Sequence, residues 1–322
     1  MKRRTFCSAA TAVAALTPFT AARSQAWPSA PVRIVVPGGA GSGTDVIARL
    51  LAGFLTPELG KQVIVENKAG ASGIIAHEYV AQAAPDGNTF IFSATASLMI
   101  VPTLTPSAKF RFSDFVPVAS VLRTPYMVLV REAAGAPATF AELAANLKKN
   151  SLNYAATGNG TMTHLAAALM LRTMGATAVQ VPYRGSGDSL TALMSGQVDF
   201  TCESTTSALN FVRQKKVRAL ATTGRERIAS LPDVPTLIEL GLPDADVDVI
   251  AGLFARKGTP EPILKRMAAE ITKGLARPNV IEQFETLDTP IFQVAPSEFS
   301  QLLAREAARW DKRLKDLNIK IT

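Results

Sequence analysis

The chain has 322 residues, 48% of them hydrophobic and 19% charged, with a formal net charge of +8. That balance excludes a disordered or fibrous protein, and the length exceeds the usual single core, so two lobes are expected. Two cysteines in a chain this long exclude a disulfide-stapled fold.

Lys2, Arg3 and Arg4 precede an apolar stretch from Phe6 to Leu16, and Ser24-Gln25-Ala26 offers a small-x-small cleavage site. The apolar stretch is well short of the roughly 20 residues a membrane span needs. An export signal over 1–26 is therefore expected, with Arg3-Arg4-Thr-Phe6 resembling a twin-arginine motif. Cleavage would remove four basic residues and no acidic one, leaving about +4 on a mature chain that starts near Trp27. The one remaining basic run, Gln214–Arg218, reads as a solvated helix end, not a nucleic-acid surface. Cys202 stays as a lone thiol and reads as a small buried hydrophobe.

Strand and helix patterns then alternate. Val32–Val36 is an apolar β-branched run ending at Pro37, and four glycines fall within the six residues from Gly38 to Gly43. Thr44–Leu59 carries apolar residues at helical spacing. Val63–Val65 and Phe90–Phe92 read as short buried strands, with a helix over Ile74–Ala84 and a turn at Pro85–Asn88. A second set opens at Tyr126–Val130, followed by a helix over Thr139–Lys149 and a strand over Leu152–Ala156. The loop Thr157–His164 and a helix over Leu165–Met174 repeat the opening arrangement of strand, glycine-containing loop and helix N-terminus. Val179–Pro182, Leu190–Met194, Val198–Cys202 and Arg218–Thr222 continue the α/β pattern. The C-terminal part reads as helical. One apolar stripe holds Ile263, Leu264, Met267, Ile271 and Leu275; another holds Phe299, Leu302, Leu303, Trp310, Leu314 and Leu317. Alternation of this kind predicts βαβ units and a mixed, mostly parallel sheet in each lobe, flanked by helices.

A glycine-rich loop leading into a helix brings bare backbone N–H groups to the positive end of the macrodipole, which suits an anion. Phosphate motifs fail here. Gly38…Gly43 is followed by Thr44-Asp45 with no lysine, and Gly39-x-Gly41 lacks the third glycine of a dinucleotide fingerprint. Asp45 would repel a pyrophosphate. A plain tight turn with Thr44 as N-cap is the competing reading. No G-x-S-x-G, H-E-x-x-H or C-x-x-C occurs, so no catalytic residues, metal or cofactor are expected. His77 beside Glu78 reads as a surface pair, while His164 either touches a ligand or caps and packs. Each helix N-terminus gives about 0.3–1 kcal/mol toward a carboxylate. Micromolar binding needs about 8 kcal/mol, so two such loops must be supplemented by lobes closing over the ligand.

Ordered motifs along nearly all of the expected mature chain resemble one family, the Bug-type solute receptors of tripartite tricarboxylate transporters. They are Val35–Asp45, Val65-Glu-Asn-Lys-Ala-Gly70 with Ser72-Gly73, Ala83–Gly87, Asp114–Val118, Leu152–Ala155, Gly158–Thr161 with His164-Leu165, Val181–Gly185, Gly196–Asp199, Leu231–Thr236 and Gly258–Pro260. The resemblance implies a periplasmic Venus-flytrap receptor of two α/β lobes, monomeric, holding a small carboxylate for the membrane subunits of a transporter. The first lobe would span 27–124 plus 250–322, and the second 125–249. Carried over by position, the first-lobe contacts are Gly41, Ser42, Gly43, Thr44, Asp45, Ser93 and Thr95. The second-lobe contacts are Gly158, Gly160, Thr161, His164 and Tyr183. Two departures bear on the pocket. Gly38-Gly39-Ala40 stands where the family has prolines and bulkier residues, predicting a roomier or more mobile floor. Thr201-Cys202-Glu203 stands where the family more often has an apolar pair and then aspartate, which alters the outer wall. A sensing partner for a membrane signalling protein, or a secreted enzyme acting on a carboxylate, are the alternative uses of such a chain.

Overall fold

The computed structural model describes residues 27–317; the expected export signal lies outside the described residues. Strand β1 (Val32–Val36) pairs in parallel with β2 (Val63–Asn67) and β3 (Thr89–Ala94). Both faces of this β-branched run are covered, as a parallel strand requires. Ile34 and Val36 pack toward α1 (Gly43–Leu59), whereas Val35 packs toward α2 (Ile74–Gln82). Helix α1 starts where Ser42 caps the Asp45 N–H and stops at Gly60, which takes the left-handed conformation at φ +65°. Helix α3 (Thr95–Leu104) follows β3 directly.

The long strand β4 (Phe115–Arg131) joins the two halves. Its first part, Phe115–Pro125, runs antiparallel to β9 (Asp248–Arg256), which itself pairs antiparallel with β3. Its last part, Tyr126–Arg131, lies between β7 (Phe200–Ser204) and β8 (Val217–Thr222), antiparallel to both. Between them α4 (Phe140–Lys149), β5 (Leu152–Ala156), α5 (Met162–Met174), β6 (Ala178–Pro182), α6 (Ser186–Met194) and α7 (Thr205–Arg213) build a second α/β unit. There β5 pairs in parallel with β6 and β7. Every antiparallel pairing involves β4 or β9, the strands that carry the chain between the lobes. Register shifts after Pro117 and Ser120 bend β4, and Pro117 removes a ladder donor at the first of them.

Helices α8 (Glu261–Leu275), α9 (Pro278–Thr286) and α10 (Pro296–Leu317) return to the first lobe. Met267, Ile271 and Leu275 of α8 are buried in the core that α1 covers; Phe299 and Leu303 of α10 pack on the opposite face of the sheet. The predicted stripes thus face the sheet, with the side chain of Leu317 outside the described residues. Near its C-terminal end α10 is tied to the inter-lobe linker. Asp246 accepts from Arg309 at 2.7 Å and from Arg313 at 2.6 Å, and Arg225 adds a third, longer contact at 3.4 Å.

The sequence pattern missed α3, α7, α9, β9 and the first half of β4. Leu190–Met194 and Leu165–Met174 each prove longer at their N-terminal ends, as Ser186–Met194 and Met162–Met174. The basic run is split: Gln214 closes α7, Lys215 turns at φ +53°, and Val217 already belongs to β8. His77 is not a surface residue. It is fully buried, with Nε2 3.1 Å from Ser93 Oγ and its ring stacked on Phe110. Cys202 is fully buried in β7.

Candidate functional site

Between the lobes lies a cleft of about 640 Å³. Segments 37–44, 70–74 and 94–97 of the first lobe face segments 157–163, 182–186 and 203–207 of the second. Hydroxyl groups and glycines dominate this wall, including Ser42, Thr44, Ser72, Thr161 and Ser207.

The lobes meet across it. The Gly43 N–H, the first of α1, donates to Ser207 Oγ at 2.9 Å. A Cβ on Gly158 would lie 2.6 Å from Ser72 Oγ, and one on Gly185 would lie 3.7 Å from the Gly39 nitrogen. Glycine is therefore required at 158 both by its φ of +122° and by the opposite lobe. Ser72 reaches that position because Gly70, Ala71, Ser72 and Gly73 all adopt positive φ, of 122°, 47°, 56° and 90°. For Ala71 and Ser72 this conformation costs on the order of 1–2 kcal/mol each, the sort of strain that is retained at functional loops.

Of the twelve positions expected to touch a ligand, Ser42, Gly43, Thr44, Gly158, Thr161 and Tyr183 stand on the wall. The other six do not. Asp45 is buried behind the first loop, where its carboxylate accepts from the Gly41 N–H (2.9 Å), Asn67 Nδ2 (2.9 Å) and Arg49 Nε (3.0 Å). Burial pushes its carboxyl up, but the bonds from Arg49, Gly41 and Asn67 outweigh that and hold it below the usual value. Asn67 also donates to the Gly38 carbonyl at 3.0 Å, so the loop is fixed at both ends. Gly41 and Asp45 thus form a brace behind the loop.

The second loop has the same construction. The Gly160 N–H donates to His164 Nδ1 at 3.0 Å, one helical turn along, and His164 stacks on Tyr154. Burial lowers the His164 ring to about 4, so it is neutral and accepts. Of the two readings left open for this residue, packing behind the loop is the one its contacts fit. Ser93 is fully buried, bonded to His77 and the Ala94 carbonyl, and Thr95 is buried at the start of α3; Ala94 and Ser97 face the cleft instead. The expected roomier floor is absent at Gly38. A Cβ there would lie 2.3 Å from Ser42 Oγ, so the N-cap hydroxyl occupies the space, whereas one on Gly39 would meet nothing within 4 Å.

Two charged residues on the wall had no local signal as contacts. Arg184 is exposed at the loop before α6. Glu203, near the end of β7, is 1% exposed, and neither carboxylate oxygen has a hydrogen-bond partner. Burial pushes its carboxyl up to about 7, with a smaller downward pull from the nearby Ser186 and Ser189 hydroxyls, which form no bond to it. Beside it, burial raises the Tyr126 phenol and the Cys202 thiol above their usual ranges, so neither is ionised. Among the described residues no group of three or more His, Cys, Asp or Glu is placed to hold a metal ion, and no helix is long and apolar enough to cross a membrane.

Comparison with known proteins points the same way. The family model described as tripartite tricarboxylate transporter family receptor matches residues 47–319. A UPF0065 protein in the tcbD-tcbE intergenic region of Pseudomonas sp. (strain P51) is 35% identical over 306 residues, 93% of this chain and 90% of that protein. Among solved structures, the periplasmic binding protein BugD superposes with a TM-score of 0.87 at 31% identity, over 91% of this chain and 99% of BugD. MatC from Rhodopseudomonas palustris with bound malate superposes with a TM-score of 0.85 at 33% identity, over 89% of this chain and all of that one (100%). The two-lobed α/β architecture is that of these periplasmic binding proteins.

Proposed function

The chain belongs to the tripartite tricarboxylate transporter receptor family, and from that premise we propose that it captures a small organic carboxylate in the periplasm and delivers it to the membrane subunits of a transporter. The observation that carries this reading is the cleft wall itself: two braced glycine loops, each opening a helix, face each other across a pocket rich in hydroxyls. Loops fixed by Asp45 and His164 present their hydroxyls and their remaining backbone N–H groups without reorganising when the ligand arrives, which lowers the entropic cost of binding. Closure of the lobes then excludes water and strengthens each hydrogen bond to the carboxylate. The bound malate of MatC makes a dicarboxylate of that size a natural first probe.

In this proposal the export signal over 1–26 is removed near Ala26, and the lobes comprise 27–124 plus 250–322 and 125–249. The hinge lies where β4 passes Pro125 and where β9 begins at Asp248, two residues that pair with each other. The protein acts as a monomer and releases its ligand unchanged. Native mass spectrometry of protein purified from the periplasm without refolding tests the reading. A co-purified organic acid is expected. A protein that carries none, and that no member of a broad carboxylate panel stabilises thermally, would overturn it.

A further inference from the structure

A buried carboxylate without a partner is expensive, because its lost hydration is not replaced. Glu203 is in that position: it stands on the cleft wall, 1% exposed, with both oxygens unbonded. The nearest hydroxyls, those of Ser186 and Ser189, stop short of a hydrogen bond to it. Among the described residues no lysine, arginine or histidine forms an ion pair with it, and Ser189 spends its hydroxyl on Thr201 Oγ1 at 3.2 Å. Asp45, in contrast, has every oxygen engaged by the first loop and Arg49. Glu203 is therefore not held for the fold in the way Asp45 is. The register puts it opposite Met127 of β4, which offers no donor on that side.

The wall has a second charge, of opposite sign. Arg184, exposed beside the N-terminus of α6, is the one full cation among the described wall residues, and Glu203 is the one acid among them. A ligand that carries only carboxylates would complement Arg184 and the two loops but leave Glu203 facing apolar or anionic atoms. A metal ion is a poor answer, since no cluster of further ligating side chains accompanies Glu203 among the described residues. A protonated amine supplies three donors and a positive charge, which is what a buried carboxylate lacks.

We infer that the ligand of this cleft carries a protonated amine as well as its carboxylate, and that Glu203 receives the amine. Glu203 is then the residue that sets specificity, selecting amino-acid-like zwitterions over plain organic acids of the same shape. The inference rests on the carboxylate-receptor reading above and narrows its ligand class.

Matched pairs test it by titration calorimetry on the wild-type protein, freed of ligand by dialysis against mild denaturant and refolded. The pairs are L-aspartate with succinate, L-leucine with 4-methylpentanoate, and L-phenylalanine with 3-phenylpropanoate; 3-methylbutylamine and phenethylamine serve as amines without a carboxylate. The pair that fits the cleft should show its amino member binding roughly tenfold tighter or better, the value of one charge-assisted hydrogen bond. Glu203→Gln should bring the two members to within about threefold. Des-amino members binding as well as or better than their partners would overturn the inference and leave the receptor reading standing. So would a preference that survives in Glu203→Gln. Binding of the amines alone would sink the carboxylate reading while leaving the role of Glu203, and binding of nothing in the panel would sink both. The wild-type comparison decides the matter even if the variant does not fold.

Discussion

The backbone N–H of Gly160 donates to Nδ1 of His164 across 3.0 Å, and the ring can accept only while it is neutral. Burial holds both His164 and His77 at about 4, well below the 6.5 of a free histidine. Unfolded chains therefore bind protons that the native protein refuses, and stability falls as pH drops from about 6.5 to about 4. Each histidine contributes up to roughly 3 kcal/mol to that loss. Glu203 has the opposite sign: raised to about 7 from 4.5, it favours the native state as pH falls through that window and offsets about one histidine. Urea titrations at pH 7.5 and 5 should show a net acid loss. His164→Asn, which keeps an acceptor but does not titrate, should shrink it, and Glu203→Gln should enlarge it. Unchanged slopes in both variants would contradict the assignment.

Asp45 is predicted to matter through the loop it braces. Asp45→Ala empties a position only 2% exposed and removes the acceptor of the Gly41 N–H, the Asn67 amide and Arg49. A loss of about 2–3 kcal/mol in urea unfolding is expected. Ligand affinity should weaken alongside it, because Gly38–Ser42 is no longer fixed. Lost binding with undiminished stability would mean that Asp45 touches the ligand after all.

Asp246 should couple the C-terminal helix to the linker between the lobes. It is 9% exposed and receives Arg309 and Arg313 from α10. Burial raises its carboxyl, yet those two arginines more than compensate and hold it below the usual value. Asp246→Ala leaves the arginines mutually repelling. Both are partly solvated, so the loss should be about 2 kcal/mol and not the full value of a buried pair. Hydrogen exchange should rise selectively in the last two turns of α10 and at Val247, whose N–H bonds to the Thr223 carbonyl.

Much of this architecture is readable from local pattern because parallel strands covered on both faces write themselves as largely apolar runs, as in Val32–Val36, broken only by the exposed Arg33. The glycine loops are equally local, since positive φ favours glycine at 41, 158 and 160, and close approach adds to it at 158. What escapes is set by distant partners. Strand β4 reads as a strand only from Tyr126 onward, because Pro117, Arg123 and Pro125 interrupt the pattern and only pairing with β9 holds that part extended. Helix α3 contains Pro102 and follows β3 without a turn signal. His77 shares a buried helical face with Ala76 and Val80, a spacing that its neighbour Glu78 disguises. The braces formed by Asp45 and His164 could not be told from ligand contacts, since a polar residue one turn into a helix suits either use. Ser207 reaches Gly43 across 164 positions, and Glu203 takes its surroundings from Met127 of β4 and from Ser186 and Ser189 of α6.

The contact between Gly43 and Ser207 gives the sharpest test of closure. A Cβ at 43 would lie 3.0 Å from Ser204 Oγ, 3.1 Å from Ser207 Oγ and 3.2 Å from Thr206 Cβ, all on the opposite lobe. An open cleft does not meet these atoms, and position 43 is helical, where alanine is better than glycine by up to about 1 kcal/mol. Gly43→Ala should therefore leave unfolding in the absence of ligand unchanged or slightly improved, while weakening ligand binding about tenfold through obstructed closure. Ser207→Ala removes the acceptor of the Gly43 N–H, together with a hydroxyl contact to Ser204 within its own lobe, and should weaken binding about three- to tenfold, the worth of one hydrogen bond across the cleft. Small-angle scattering should show ligand-induced compaction reduced in Gly43→Ala and retained in Ser207→Ala. Equal affinity in all three proteins would mean that the lobes do not need this contact to hold the ligand.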